Sequence, residues 1–170
     1  MRKKDGQDQA DTLSRAKLCF QCGACSGVCP VKKTTKVFDP RRIVHALALD
    51  ETKKNFSDVL WYCSQCGSCE LVCPMDVKPK QVIKQLQELS LAQGKIDEAR
   101  LFELGLWAKV EAEKCILCLT CIRACPYQAI EITDDGARVK ISECVGCGVC
   151  VKVCPVQAIL IGQRPEMQVG

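Results

Sequence analysis

No stretch of this 170-residue chain approaches the roughly 18 consecutive apolar residues of a membrane span. Its opening, MRKKDGQDQADTLSR, is polar with no apolar core, and reads as neither a signal peptide nor a membrane anchor. A cytosolic, reducing location is therefore expected, where disulfides are rare. No G-x-G-x-x-G is present: the nearest approach, GCGVC at 146–150, lacks the third glycine, so no nucleotide or flavin site is indicated. The single histidine, His45, sits in a helical pattern and reads as an ordinary partly exposed or core side chain, not a ligand or proton relay. Lys32, Lys33, Lys36, Arg41 and Arg42 gather near one another, but no aromatics interleave with them. That patch reads as solvated or partner-facing, and no nucleic-acid role is expected.

Cysteine is abundant. All 16 lie in four runs of one grammar: CFQCGACSGVCP (19–30), CSQCGSCELVCP (63–74), CILCLTCIRACP (115–126) and CVGCGVCVKVCP (144–155). None is left over, so one chemistry should account for all of them. Clustered thiols in a reducing compartment point to metal ligation. Structural zinc sites draw two short pairs from segments a dozen or more residues apart. Here three thiols come two residues apart in one loop, followed by a fourth and a proline. This C-x2-C-x2-C-x3-C-P run resembles that of bacterial-type [4Fe-4S] ferredoxins, in which the fourth cysteine of each run ligates the other run's cluster.

The resemblance implies four [4Fe-4S] clusters with crossed ligand sets. The first is Cys19, Cys22 and Cys25 with Cys73; the second is Cys63, Cys66 and Cys69 with Cys29. The third is Cys115, Cys118 and Cys121 with Cys154; the fourth is Cys144, Cys147 and Cys150 with Cys125. Folding and cluster insertion are then expected to be coupled.

The last two runs form an internal repeat of period 29 that shares a following Q-A-I-x-I. Short strands are predicted at Ala129 to Ile132 and Ala158 to Ile161, and Asp134-Asp135-Gly136 before ARVKI signals a hairpin. Residues 109–162 resemble the two-cluster bacterial ferredoxin over its whole length, including the 18 residues between Cys125 and Cys144. A pseudo-symmetric α+β fold is implied.

Between Cys29 and Cys63 lie 33 residues, with no comparable strands. Asp39 can cap a helix that begins at Pro40 and carries Ile43, Val44 and Leu47 on one face. A second helix starts at Pro79, with Val82, Ile83, Leu86 and Leu89 at helical spacing and Gly94 at its end. CFQCGACSGVCP, FDPRRIV, WYCSQCGSCELVCP and the helix after Pro79 resemble the C-subunit family of heterodisulfide reductase, and more loosely the helical ferredoxin modules of succinate and glycolate oxidoreductases. An all-α two-cluster domain over residues 17–94 is implied. Residues 1–16 read as a polar tail, 95–108 as a linking helix whose Phe102 and Trp107 pack in a core, and 163–170 as a second tail. Tyr62 and Tyr127 flank cluster cysteines and read as shields.

Residues 1–94 carry 15 basic and 10 acidic side chains, a balance of +5; residues 95–170 carry 9 and 10, a balance of −1. Oxidised clusters at about −2 each would take these to about +1 and about −5, a polarity that could orient docking. No Cys-Cys pair of the kind found in the catalytic subunit of heterodisulfide reductase is present, so resemblance to the C-subunit family implies relay without catalysis by this chain. The expected role is an electron-transfer subunit of a soluble oxidoreductase complex. Its partner would be a flavin-, tungsten- or molybdenum-, or hydrogenase-type subunit, with ferredoxin as a further contact. The alternatives are a freely diffusing ferredoxin and, in a different class, a zinc- or thiol-based structural or regulatory protein.

Overall fold

The structure, a computed structural model, describes residues 13–35, 37–49, 57–134 and 136–162. These fall into two compact units, 13–95 and 96–162. Helices are joined by small antiparallel sheets, an α+β composition.

The α-helices of unit 1 include α1 (Ala24–Val28), α2 (Pro30–Thr34), α3 (Pro40–Ala48), α4 (Ser57–Leu60), α5 (Ser68–Leu71) and α6 (Pro79–Ala92), and there is no strand among its described residues. The Asp39 carboxylate accepts from the Arg41 amide and Pro40 occupies the first turn of α3, where its missing N–H costs nothing. Ile43, Val44 and Ala46 then face inward, and α3 packs on α6. Helix α6 likewise starts at a proline, buries Val82 and Ile83 fully, and ends in a Schellman turn. There Gly94 at φ +60° lets the Lys95 amide reach Ser90 O at 2.9 Å and its own amide reach Leu91 O at 3.0 Å. Helical spacing predicts Leu89 on the buried face, but it is 37% exposed while Gln87 and Ser90 are buried. Gln87 repays its burial with hydrogen bonds: its amide donates to Leu60 O at 2.9 Å and accepts from Gln65 Nε2 at 3.0 Å.

The polar tail expected over 1–16 is shorter at its inner end, since Ala16 is fully buried and Arg15 pairs with Asp76 at 3.2 Å. Residues 1–12 and the tail expected at 163–170 lie outside the described residues.

Unit 2 contains α7 (Glu98–Glu103), β1 (Ala108–Val110), α8 (Thr120–Ala124), β2 (Ile130–Thr133), β3 (Gly136–Val139), α9 (Val149–Val153) and β4 (Ile159–Ile161). β2 and β3 form an antiparallel hairpin, Ile130 opposite Val139 and Thr133 opposite Gly136. β1 pairs antiparallel with β4, Ala108 opposite Ile161. The order strand, cysteine loop, helix, strand thus occurs twice, and α8 packs on α9.

The segment 95–108 is not one helix. Asp97 caps α7, which ends after six residues, and Ala108 already belongs to β1. Leu101 and Leu106 are fully buried, and Trp107 donates through Nε1 to Glu98 O at 2.9 Å with its ring edge-on to Phe102 at 6.4 Å. Burying each leucine stabilises by roughly 1.5–3 kcal/mol, enough to hold so short an element against the rest of its unit.

The same segment meets the fourth cysteine loop at close quarters. A Cβ on Gly146, whose φ is +64°, would lie 2.3 Å from Gly105 O and 2.9 Å from Leu106 C. Gly146→Ala is therefore expected to destabilise by about 3 kcal/mol or more, combining overpacking with backbone strain. Gly27, inside α1 with no described residue within 4 Å of a new Cβ, should accept alanine without loss. Thermal melts followed by circular dichroism check the contrast, and equal midpoints for the two variants would refute it.

Candidate metal centres

Every cysteine run folds its loop in the same way. The residue before the second cysteine and the residue after it are both left-handed: Gln21 and Gly23, Gln65 and Gly67, Leu117 and Leu119, Gly146 and Gly148. This bend turns amides onto sulfur, with the Gln65 N–H on Cys63 and the Gly146 N–H on Cys144. Glycine takes such a φ freely, whereas Leu119 at +62° costs roughly 1–2 kcal/mol.

The fourth cysteine of each run also accepts a backbone amide. Val77 N lies 3.4 Å from Cys73 Sγ, Ala129 N 3.4 Å from Cys125 Sγ and Ala158 N 3.2 Å from Cys154 Sγ. In each of these runs a left-handed residue (Asp76, Gln128 or Gln157) makes the turn. The first run departs from this: Cys29 caps α2 and accepts from Lys32 N at 3.5 Å.

Thiols from paired runs converge on shared hollows. Cys29 joins Cys63, Cys66 and Cys69 around about 320 Å³ of space not filled by atoms, part of it open to solvent. Cys154 joins Cys115, Cys118 and Cys121 around about 400 Å³. Cys125 joins Cys144, Cys147 and Cys150 around about 350 Å³. For the remaining four, Cys19 and Cys73 pack against the same apolar cluster of Ala16, Val44, Val77 and Val82, while Cys25 is close enough to Cys19 and Cys22 to feel both.

Burial and crowding govern the thiols. Burial pushes Cys63 and Cys150 up to about 11, and burial reinforced by the neighbouring Cys63 pushes Cys69 up to about 12. Burial also raises Cys25, Cys121 and Cys144. The middle cysteines, Cys22, Cys66, Cys118 and Cys147, are the exposed ones. The Thr120 hydroxyl holds Cys118 below its ordinary value. Partial burial works against the same effect at Cys66, but the Ser68 and Ser64 hydroxyls outweigh it. Behind the first loop, Asp39 accepts a short hydrogen bond from Ser26 and pairs with Lys32 at 3.2 Å, tying α1, α2 and α3 together. Burial opposes the charge on Asp39, but Ser26 and Lys32 together hold its carboxyl below the usual range.

Among the described residues, no three His, Cys, Asp or Glu side chains are drawn together so as to hold a single metal ion. Zinc would need its sulfurs about 3.8 Å apart, given Zn–S bonds of about 2.3 Å. A larger inorganic body, gripped at its corners by four spaced thiolates with amide donors behind them, suits these hollows. His45 is exposed and lines none of them; Tyr127 lines the fourth, and Tyr62 lines none of the three.

Two side chains at these loops carry no sequence signal of their own. Lys80 lines the hollow of Cys29, Cys63, Cys66 and Cys69, and Arg41 lies over Gly23 of the first loop. Each directly follows a helix-starting proline, which is the pattern that could have marked them.

Residues 15–77 match a family model described as a 4Fe-4S dicluster domain, and residues 108–161 match another of the same description. A third such match, over 62–130, takes the second run together with the third. The chain is similar to the C 2 iron-sulfur subunit of CoB–CoM heterodisulfide reductase from Methanocaldococcus jannaschii, 34% identical over 84 residues, 49% of this chain and 45% of the relative. It is also similar to the C2 subunit of the H(2)/formate:CoB-CoM heterodisulfide,ferredoxin reductase of Methanococcus maripaludis, 34% identical over 82 residues, 48% and 44% of the two chains. The matched region thus spans less than half the length of either curated relative.

Proposed function

We propose that this iron–sulfur chain, built from 4Fe-4S dicluster domains, is the electron-relay subunit of an oxidoreductase complex and performs no substrate chemistry by itself. The observation that carries the reading is the set of three hollows, each lined by three thiols of one run and the fourth thiol of its partner run. Four [4Fe-4S] clusters would be held by Cys19, Cys22, Cys25 and Cys73; by Cys63, Cys66, Cys69 and Cys29; by Cys115, Cys118, Cys121 and Cys154; and by Cys144, Cys147, Cys150 and Cys125. When bound, such a cluster supplies a reversible one-electron couple whose potential follows its hydrogen bonds and burial.

The chain's own part is to hold and insulate. Left-handed loops aim amides at sulfur, and apolar walls such as Val110, Ile122 and Ile159 keep water back. Exposed Cys22, Cys66, Cys118 and Cys147 bring one corner of each site toward the surface, where an electron can enter or leave. In this reading unit 1 is the helical domain of the heterodisulfide reductase C-subunit type and unit 2 the bacterial ferredoxin-like domain.

Similarity to iron–sulfur subunits of heterodisulfide reductases supports a protein partner in a redox complex. The catalytic member would be of flavin, tungsten or molybdenum, or hydrogenase type, with ferredoxin as a second contact. No helix among the described residues is long and apolar enough to cross a membrane, and a cytoplasmic complex is proposed.

Anoxic purification followed by metal and acid-labile sulfide analysis tests the assignment. About sixteen irons and sixteen sulfides per chain are expected from four cubanes; about four zincs without sulfide would return the chain to a structural role. A stable stoichiometric complex on native purification separates a relay subunit from a diffusing ferredoxin.

A further inference from the structure

The hollows differ in the polarity of their walls. Lys80 and Ser64 stand in the wall of the hollow of Cys29, Cys63, Cys66 and Cys69. Among the described residues, no charged side chain lines either hollow of unit 2. One is walled by residues such as Ile116, Leu117, Ile132 and Val156, and the other by Ile130, Val139 and Val145 with Tyr127 as its polar member.

Lys80 owes its place to a feature that unit 1 uses twice. It follows Pro79 in the first turn of α6, and its ammonium lies 4.0 Å from where a Cβ would stand on Gly67 of the second cysteine loop. Arg41 follows Pro40 in the first turn of α3, and its Nη1 lies 3.6 Å from where a Cβ would stand on Gly23 of the first loop. Each helix therefore sets a cation over the glycine that precedes the last helix-borne thiols of a run. The corresponding positions of unit 2 are Leu119 and Gly148, and among the described residues nothing lies within 4 Å of a Cβ built on Gly148. Unit 1 adds a side-chain amide to sulfur as well, with Gln21 Nε2 3.3 Å from Cys19 Sγ; the equivalent residues in unit 2, Leu117 and Gly146, have no amide side chain.

Reducing a cluster adds one negative charge to a group that is already anionic. A fixed cation a few ångströms away favours that change, N–H donors to sulfur act in the same sense, and an apolar wall opposes it. Two groups work against the contrast. Glu70 pairs with Lys80 at 3.5 Å and offsets part of its charge, but the ammonium is the member of the pair that lines the hollow. Arg123 of unit 2 acts on Cys118 and, exposed as Arg41 is, offsets part of the contrast at that site; among the described residues it lines neither hollow of unit 2, whereas Lys80 lines its own.

We propose that Lys80 and Arg41 raise the potentials of the two clusters of unit 1 above those of unit 2, so that the first electrons taken up by the chain rest in residues 13–95. The proposal rests on the reading that the four thiol sets hold [4Fe-4S] clusters. Each uptake is the one-electron reduction of a 2+ core to 1+, the electron coming from an external low-potential one-electron donor, with no bond made or broken.

The test is a reductive titration of the full holo-chain with dithionite and redox mediators, read by EPR, in wild type and four variants. Lys80→Met is expected to lower one of the two highest-potential components by a tenfold change in its one-electron equilibrium, which is 59 mV. Lys80→Arg should leave that component in place, and Glu70→Gln should raise it. Arg41→Met should lower the other upper component, by less, since Arg41 is exposed. Movement of a lower-half component in Lys80→Met, or no movement in any variant, overturns the proposal. If Lys80→Met fails to load, Glu70→Gln decides: a rise in an upper component supports the proposal and a static titration overturns it. Iron and sulfide are counted in each sample; their absence from wild type would defeat the cluster reading itself, whereas full loading with the opposite order of potentials would defeat this proposal alone.

Discussion

Chelating the iron under reducing, anoxic conditions is expected to abolish most of the far-UV circular dichroism of the chain and all of its cooperative unfolding. The reason is how little structure either unit could keep by itself. Helices α1, α2, α8 and α9 have five residues each, and α4 and α5 have four. Isolated helices shorter than about 12–15 residues are marginal in water. The strands have three or four residues in two-stranded sheets, again below independent stability. Among the helices of the described residues, only α6, with 14 residues, is long enough to keep residual helix.

Beside the apolar core of each unit, the proposed filling of the hollows would complete the packing around their thiols and apolar walls. Binding energy of a metal group absent from the unfolded state becomes folding energy, on the order of 10 kcal/mol for structural metal sites. The thiols themselves set the pH dependence. Because burial raises Cys63 and Cys150 to about 11 and Cys69 to about 12, these groups are protonated at neutral pH when metal-free, and loading must expel their protons. Cluster retention should therefore strengthen as pH rises from mildly acidic to neutral. Any folded metal-free remnant shows the opposite trend. A raised thiol pKa contributes stability that is complete below the ordinary thiol value of 9.0 and is lost as pH climbs toward about 11–12. An iron-free chain that still melts cooperatively with its dichroism intact would sink this expectation.

What is legible in the sequence follows from where the information is local. Asp39-Pro40 announces a helix start because cap and proline act within one turn, and α3 begins there. The period of 29 announces two equivalent halves because like residues do like things, and strand, loop, helix, strand recurs on that repeat. The features that escape it are set by partners distant in the chain. Ala108–Val110 has too few residues for a strand pattern and is a strand because Ile159–Ile161 lies alongside it. The apolar run that suggests a helix over 95–108 stops at Glu103 because Leu106 and Trp107 are needed in the core. On α6, Gln87 is buried at the expense of Leu89 because Leu60 O and Gln65 offer it hydrogen bonds, which no periodicity can encode.

The candidate site divides the same way. Sixteen thiols at fixed spacing declare themselves, since that spacing is local to each loop. Lys80 and Arg41 read as ordinary surface charge until α6 and α3 are seen laid over the glycines of two loops. Leu119, left-handed where three other runs carry glycine, is also invisible to composition; it is a strained residue in a cysteine loop.

Cys73→Ser is expected to damage the cluster of the first run and spare that of its own. In the structure Cys73 shares an apolar bed with Cys19, on Ala16, Val44, Val77 and Val82, whereas Cys63, Cys66 and Cys69 share their hollow with Cys29. Losing one of four thiolates should cost most of one cluster, about a quarter of the iron, or leave a centre with an altered EPR signal. Cys29→Ser should do the reverse. Lys80 supplies a label for telling the two apart, because it stands in the wall of the hollow of Cys29, Cys63, Cys66 and Cys69 and its ammonium lies over Gly67 of the second loop. The EPR component that moves in Lys80→Met should persist in Cys73→Ser and disappear in Cys29→Ser. Uncrossed ligation, with each run holding its own cluster through all four of its cysteines, predicts the opposite pair of outcomes. The crossed arrangement also makes the two variants equal in a further respect: each breaks the only covalent tie that a distant run makes to its partner's cluster, so both should loosen unit 1 as a whole. Their melts should fall together, well below wild type, while the components assigned to unit 2 keep their wild-type signals.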